Sequence, residues 1–233
     1  MENISKKNII SQTREIYNKI ASFFSDTRKY VQESEKELVQ YTKDGNKILD
    51  LGCGNGKLYH LFEKMQVDYT GFDLSEELLK IARKQWPGKT FISGDMSEKL
   101  PFEDETFDII YCIASFHHLP DREKRLNALK EMKRVLKSRG FLVMKNWNLG
   151  SEWANKKVEK GKYTKIGEQD FIVPWRDPKG NILGDRYYHS FTEEDMKNLL
   201  ETSGFVIQKQ YFEQDPYLSD SRGGRNLISI AKK

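Results

Sequence analysis

The 233-residue chain is poor in cysteine and proline, with two and six respectively, and it has no apolar run of the length a bilayer span requires. Cys53 and Cys112 stand apart, neither in a CxxC arrangement. That argues against a disulfide framework or an internal zinc site, and no metal is expected. Repeats and low-complexity linkers are absent too, so nothing marks a boundary between independent domains. The N-terminal MENISKKNII lacks the apolar core of a signal peptide, which predicts a cytoplasmic protein with no membrane partner. Charge of one sign is scarce: 39 basic against 35 acidic residues leave +4, which permits a polyanionic partner without demanding one. The remainder, 37% apolar and 32% charged, is the composition of a folded globular chain.

Periodicity divides the sequence into four stretches of one domain. Residues 1–46 read as a helical extension: Ile16, Ile20 and Phe23 recur at helical spacing over 11–23, and a more charged helix follows over 31–42. Residues 47–147 alternate short apolar strands (KILDL, DYTGFD, TFISGD, FDIIYCIA, GFLVMKNW) with helices to about Met65 and over 75–85 and 121–137. Ser75 and Asp121 suit N-caps, and Gly140 suits a helix stop. Such alternation predicts an α/β fold, a doubly wound, mostly parallel sheet with helices on both faces. Residues 148–190 lose the pattern, but Phe171, Val173, Trp175, Tyr187, Tyr188 and the adjoining Phe191 are too apolar for the stretch to float free. They are expected to fold over something, as long excursions with a function do. From 191 a capped helix (TEEDMKNLLETSG, stopped at Gly204) precedes FVIQKQYF and NLISIA, placed to pair antiparallel.

LDLGCGNGKLYHLF, residues 49–62, sets Asp50 before Gly52, Gly54 and Gly56, with Asn55 within the turn. Glycines there let a ligand approach main-chain N–H groups. A dinucleotide fingerprint needs its third glycine at the position of Lys57, and Asp50 would repel a pyrophosphate while welcoming a cation. Asp73, followed by Leu74, ends the second strand, where its carboxylate can accept both hydroxyls of a ribose. Asp95, followed by Met96, ends the third, in reach of an adenine amine. Acids at three successive strand ends describe a site for a ribose, an adenine and a positive group without phosphate, which S-adenosylmethionine fits.

Residues 47–147, including PFEDETFDIIYCIASFHHL, resemble class I methyltransferases. The resemblance implies a Rossmann-like seven-stranded sheet with one antiparallel edge strand, and places Met96 and Ile113 along the adenine and methionine portions of the cofactor. Further along, YNKIASFFSDTR, FHHLPDREKRLNALKEMKRVLK, NWN, DFIVPWR, RYYHSF and RNLISI look like the tRNA wobble-uridine carboxymethyl methyltransferases, which esterify 5-carboxymethyluridine. One departure is KYVQESEKE after Thr27-Arg28, where that family often has a Trp-Pro segment. The resemblance implies tRNA as partner and, as in eukaryotic and archaeal relatives, a small zinc-binding activator protein pairing with an exposed sheet edge such as TFISG.

A carboxylate acceptor is already ionised near neutral pH and needs no general base, only orientation. Arg28 and Arg186 are the candidate cations, with His118 and His189 as hydrogen-bond donors. Arg28 has a second possible role, holding the carboxylate of the cofactor. Trp147 and Trp175 are placed to stack on an extruded base, with a hydrophobic anchor for the insertion as the other reading of Trp175. Lys156, Lys157, Lys160, Lys162 and Lys165 form either a solvated helix face or a phosphate-contacting strip. Two other functions remain open: a methyltransferase acting on the carboxyl, oxygen or nitrogen of a small molecule, and a catalytically silent cofactor-binding scaffold.

Overall fold

The computed structural model describes residues 8–28, 31, 33–214 and 217–233. The N-terminal heptapeptide and part of the KYVQESEKE departure lie outside the described residues. The first helix, α1 (Ile9–Thr27), runs beyond the expected 11–23, because Ile9, Thr13, Ile16 and Ile20 continue one buried stripe. Phe23, expected in that stripe, is 47% exposed, and Phe24, four residues after Ile20, points inward instead. The charged segment behind it forms α2 (Glu33–Leu38) and one tight turn to Tyr41.

The core then alternates: β1 (Lys47–Leu51), β2 (Asp68–Asp73), α3 (Glu76–Gln85), β3 (Thr90–Ser93), β4 (Phe107–Ile113), α4 (Arg122–Val135) and β5 (Leu136–Trp147). Ser75 and Asp121 cap α3 and α4 by accepting from the N–H groups of Leu78 and Lys124. Two expectations fail locally. The segment from Lys57 to Met65 is not an α-helix: successive i→i+3 bonds (Tyr59 to Gly56, Phe62 to Tyr59, Met65 to Phe62) wind it as a 3₁₀ helix over Lys57–Leu61 and a further turn. The fourth helix stops at Val135, well before Gly140, and Arg139 takes the left-handed backbone (φ 65°) within the next strand. Gly140 is needed because a Cβ there would lie 2.9 Å from the Asp108 carbonyl oxygen.

After β5 come α5 (Glu152–Glu159), β6 (Thr164–Lys165), β7 (Asp170–Arg176), β8 (Ile182–His189), α6 (Glu193–Thr202), β9 (Val206–Gln214), β10 (Tyr217–Ser219) and β11 (Asn226–Lys232). The main sheet has the order β10-β9-β11-β5-β4-β1-β2-β3. The expected seven strands are joined by the three-residue β10, and the antiparallel β11 lies between β5 and β9 rather than at an edge. Alternate residues of each strand feed two cores. Leu49, Leu51, Cys112 and Met144 face α4 and α6; Ile48, Tyr69, Tyr111 and Val143 face α3 and the 3₁₀ segment.

Residues 148–190, read as lacking periodicity, contain α5 and a separate antiparallel sheet, β6-β7-β8. This sheet packs on α1. Ile16, Ile20 and Trp175 share one cluster, and Ile16 presses where Gly184 leaves no side chain, 2.1 Å from an ideal Cβ. The insertion and the N-terminal helix thus meet above the C-terminal ends of β1, β2 and β4, the side of an open α/β sheet where ligands bind.

Candidate active site

A cavity of about 390 Å³ opens at those strand ends, within the range of small-molecule sites. Its lining includes Asp50, Gly52, Gly54, Asn55, Asp73, Leu74, Asp95, Met96 and Ile113 from the core, and Arg28, His118, Trp147 and Arg186 from the surrounding elements. Gly56, Trp175 and His189, also expected in the site, are not among the lining residues.

The three glycines of the loop do three different things. Gly52 has φ 81°, and a Cβ on it would overlap Ser115, 2.2 Å from its Cβ, so the bare backbone there is demanded by the neighbouring turn. Ser115 is fixed in turn by donating to the Leu51 carbonyl at 2.9 Å. Gly54 faces the cavity, and the atom nearest to an ideal Cβ on it belongs to Phe24, at 3.6 Å. Gly56 has a left-handed backbone (φ 73°), and a Cβ on it would lie 3.0 and 3.2 Å from Trp86 and Phe91, so conformation and packing both select glycine there.

Asp73 is oriented by two main-chain donors, Gly54 N–H on Oδ2 and Ser75 N–H on Oδ1, each at 2.8 Å. Asp95 accepts the N–H and hydroxyl of Ser97 on Oδ1 alone. Asp50 is fully buried and accepts from the Tyr69 hydroxyl at 2.6 Å; burial, opposed by that bond, pushes its carboxyl up to about 7. Lys57 is drawn aside by Glu35, at 2.8 Å. This set of acceptors therefore fits a nucleoside with free hydroxyls, an amine and a cationic centre, and opposes a phosphate.

Aromatic and basic side chains line the opposite half of the cavity. His118 Nδ1 lies 2.8 Å from the Tyr187 carbonyl oxygen, which can only accept, so Nδ1 carries the proton and Nε2 accepts from the Tyr17 hydroxyl at 2.9 Å. Burial lowers its imidazole to about 3. Neutral and bonded at both nitrogens, His118 holds Tyr17 and has no free ring N–H directed into the cavity. Tyr17 also accepts weakly from Arg186 at 3.5 Å. Arg186 is 5% exposed, its guanidinium packed against Trp175 (4.9 Å) and Tyr188 (5.3 Å). Its Nε has no hydrogen-bond partner, and among the described residues no carboxylate pairs with it. Trp147 stacks on Tyr188 at 5.0 Å and 19°. Arg28, at the end of α1, lies over Phe24 and Trp175 at 5.8 and 5.9 Å.

The displaced residues have plain reasons. Trp175 shares a face of the insertion sheet with Arg186 and Tyr188, but α1 covers it. His189 follows the opposite parity along β8 and bonds Asp170 at 2.8 Å. His117, beside His118, accepts from the Trp147 N–H and is packed away. Tyr17, Phe24 and Ser115 line the cavity without having been singled out from the sequence, and Tyr188, read there only as an apolar residue of the insertion, lines it too. The signal for two of them was the spacing of Thr13, Tyr17 and Phe24 on one face of α1.

A family model described as a methyltransferase domain matches residues 49–144. The fission-yeast (Schizosaccharomyces pombe) tRNA (carboxymethyluridine(34)-5-O)-methyltransferase is 30% identical, the match covering 86% of this chain and 91% of that protein. The chain belongs to the class I S-adenosylmethionine-dependent methyltransferases, in the family of that enzyme. Among solved structures, a SAM-dependent methyltransferase from Methanosarcina mazei superposes with a TM-score of 0.69 at 24% identity, covering 84% of this chain and 96% of that one. The Haloferax volcanii putative methyltransferase, solved in complex with the Trm112 activator, superposes with a TM-score of 0.68 at 17% identity over 94% and 96%. These structures share the fold. The chain is thus a methyltransferase enzyme whose cofactor is S-adenosylmethionine, and the carboxylates of Asp50, Asp73 and Asp95 with the open backbone at Gly54 are the groups here that suit it.

The raised Asp50 sets a pH dependence. Its folded value of about 7 exceeds the ordinary 3.8, so the folded chain holds this proton through the interval and loses stability as pH rises from about 4 to 7. A bound cation recovers that cost only with the ionised carboxylate. S-adenosylhomocysteine, whose amine is charged below neutrality, is expected to bind about tenfold more tightly at pH 7 than at 5.5 by calorimetry. Asp50→Asn should flatten the profile; an equally steep one in the variant assigns it to another group.

Proposed function

We propose that this enzyme methylates the carboxylate of 5-carboxymethyluridine at the tRNA wobble position. The observation that carries the reading is Arg186, a buried cation facing the cavity with no carboxylate beside it among the described residues. A desolvated guanidinium without a counter-charge is costly, and an anionic acceptor would supply that charge in bidentate form. When bound, the cofactor supplies an electrophilic methyl group on a sulfonium. The chain's own part is to orient and exclude. Among the described residues around Arg186 are phenols and the neutral His118, which is bonded at both ring nitrogens and so offers no free base for a proton near pH 7. A nucleophile ionised in advance is the one such a site can use. Trp147, stacked on Tyr188, offers an aromatic face for an extruded base.

The relative's name favours the same acceptor. The reading includes tRNA as partner and a cytoplasmic setting; among the described residues no helix is long and apolar enough to cross a membrane. A small zinc-binding activator is part of the reading: β3 is the outermost strand of the main sheet at its parallel end and can take on a further strand, and the Haloferax neighbour was solved with an activator.

The test is transfer of labelled methyl to tRNA bearing 5-carboxymethyluridine, with and without an activator of that kind. The expected product is an ester, which mild alkali hydrolyses to volatile labelled methanol. Activator-dependent label supports the partner; equal rates with and without it remove the partner from the reading. Label that survives alkali, or none, rejects the carboxylate acceptor.

A further inference from the structure

Two segments distant in sequence meet beside the acceptor half of the cavity. Residues 148–152 are tied to the loop of residues 220–225: Asn148 N–H donates to the Arg225 carbonyl at 2.8 Å, Glu152 N–H donates to the Arg222 carbonyl at 2.9 Å, and the Asn148 side chain donates to the carbonyls of Ser221 and Gly224 at 2.7 and 2.8 Å. This brings Arg222 and Arg225 alongside α5 and its lysines. Trp153 of α5 lies between the two segments, with the Arg225 guanidinium 5.1 Å and the Lys157 ammonium 5.5 Å from its ring. Lys156, Lys160, Lys162, Lys165, Arg222 and Arg225 are all exposed.

The charge on this face is uneven in a telling way. Residues 150–165 and 220–225 hold five lysines and two arginines against three acids, an excess equal to the +4 of the entire chain. A mild overall charge thus conceals local basic density, here and over residues 122–139 (eight basic against two acidic), and local density is what governs polyanion binding. Its position relates it to the cavity. Arg225 immediately precedes Asn226, the register partner of Trp147, and Trp147 lines the acceptor half. Trp153, Trp147 and Tyr188 pack around one small core, so the face and the acceptor wall are parts of one unit.

We infer that this face, built from α5, the turn to β6 and the loop 220–225, docks the phosphate backbone of the RNA whose nucleoside enters the cavity. The inference rests on the tRNA reading above and adds where the RNA lies. The site recognises phosphate, not bases: lysines and arginines neutralise successive phosphates and release counterions, while Trp147 and Arg186 receive the nucleoside.

The test compares wild type with the variant K156A/K160A/K162A, none of which lines the cavity. Methylation is measured on tRNA bearing 5-carboxymethyluridine and on the free nucleoside 5-carboxymethyluridine, with tRNA binding followed by anisotropy against salt concentration. The variant is expected to raise KM for tRNA about tenfold or more with kcat and nucleoside kinetics unchanged, and to flatten the log–log salt slope by about 2. The charge-preserving variant K156R/K160R/K162R should retain wild-type KM, excluding a mere packing effect. If wild type methylates and binds tRNA while the alanine variant keeps its KM and slope, this docking face is overturned and the tRNA reading stands. If wild type neither binds nor methylates tRNA, both fall together.

Discussion

Arg186→Met is expected to lower kcat/KM for the carboxylate acceptor by about a thousandfold while leaving the fold at least as stable as the parent. The two halves of that expectation have one cause. The guanidinium lies among Tyr17, Trp175 and Tyr188, with Nε unpartnered and no acid of the described chain beside it. Burying an uncompensated charge costs several kcal/mol, so an apolar side chain of similar length is neutral or stabilising for folding. Removing one member of a buried charge pair in the bound complex costs about 2–5 kcal/mol, which at about 1.4 kcal/mol per tenfold gives the rate loss. Arg186→Lys keeps the charge but loses the planar fork, and should recover only part of the activity. Thermal unfolding and steady-state kinetics on the same preparations decide it. A variant that loses stability and activity in parallel would make Arg186 a structural residue and remove the main support for an anionic acceptor. Cofactor affinity is the internal control: Asp50, Asp73 and Asp95 are untouched, so it should not change.

The strand-end carboxylates of this cavity were far more legible in the sequence than its aromatic and basic wall, proposed above to face the acceptor, and the reason is topological. In a parallel sheet every strand ends on the same side, so Asp50, Asp73 and Asp95, each closing its own apolar run, are brought together by the strand order alone. The acceptor half is assembled from α1, the turn after β4 and an antiparallel insertion. Tyr17 meets His118 across 101 residues and Arg186 across 169. Nothing local announces such pairings. Parity within β8 places Arg186 and Tyr188 on the cavity side and His189 on the other, but using parity requires knowing that residues 182–189 form a strand, which an aromatic, charged stretch bounded by Gly180 and Ser190 conceals. Phe23 failed for a related reason. A helical stripe read from three residues has an angular uncertainty of one position, and Phe24 proved to be on the inner face. The 3₁₀ winding after the glycine loop was hidden because Leu58, Tyr59 and Phe62 satisfy an α-helical pattern equally well.

Gly52→Ala isolates the loop's most demanding position. The residue has φ 81°, and its absent Cβ would sit 2.2 Å from Ser115 Cβ, well inside any tolerable contact. Ser115 cannot yield freely, since its hydroxyl donates to the Leu51 carbonyl and the preceding Ala114 is itself left-handed at φ 54°. Gly45 supplies the comparison, having nearly the same φ, 84°, with nothing within 4 Å of its ideal Cβ. Gly45→Ala should therefore cost only the conformational penalty, about 1 kcal/mol. Gly52→Ala adds overpacking and should cost about 2–4 kcal/mol in denaturant unfolding. It also moves the turn that carries Gly54, whose N–H holds Asp73, so S-adenosylhomocysteine affinity should fall at least tenfold in the folded fraction. Equal costs for the two substitutions would mean that backbone conformation alone selects glycine in this loop. The larger cost at Gly52, together with lost affinity, would show that the packing of β1 against the turn after β4 is what shapes the cofactor site.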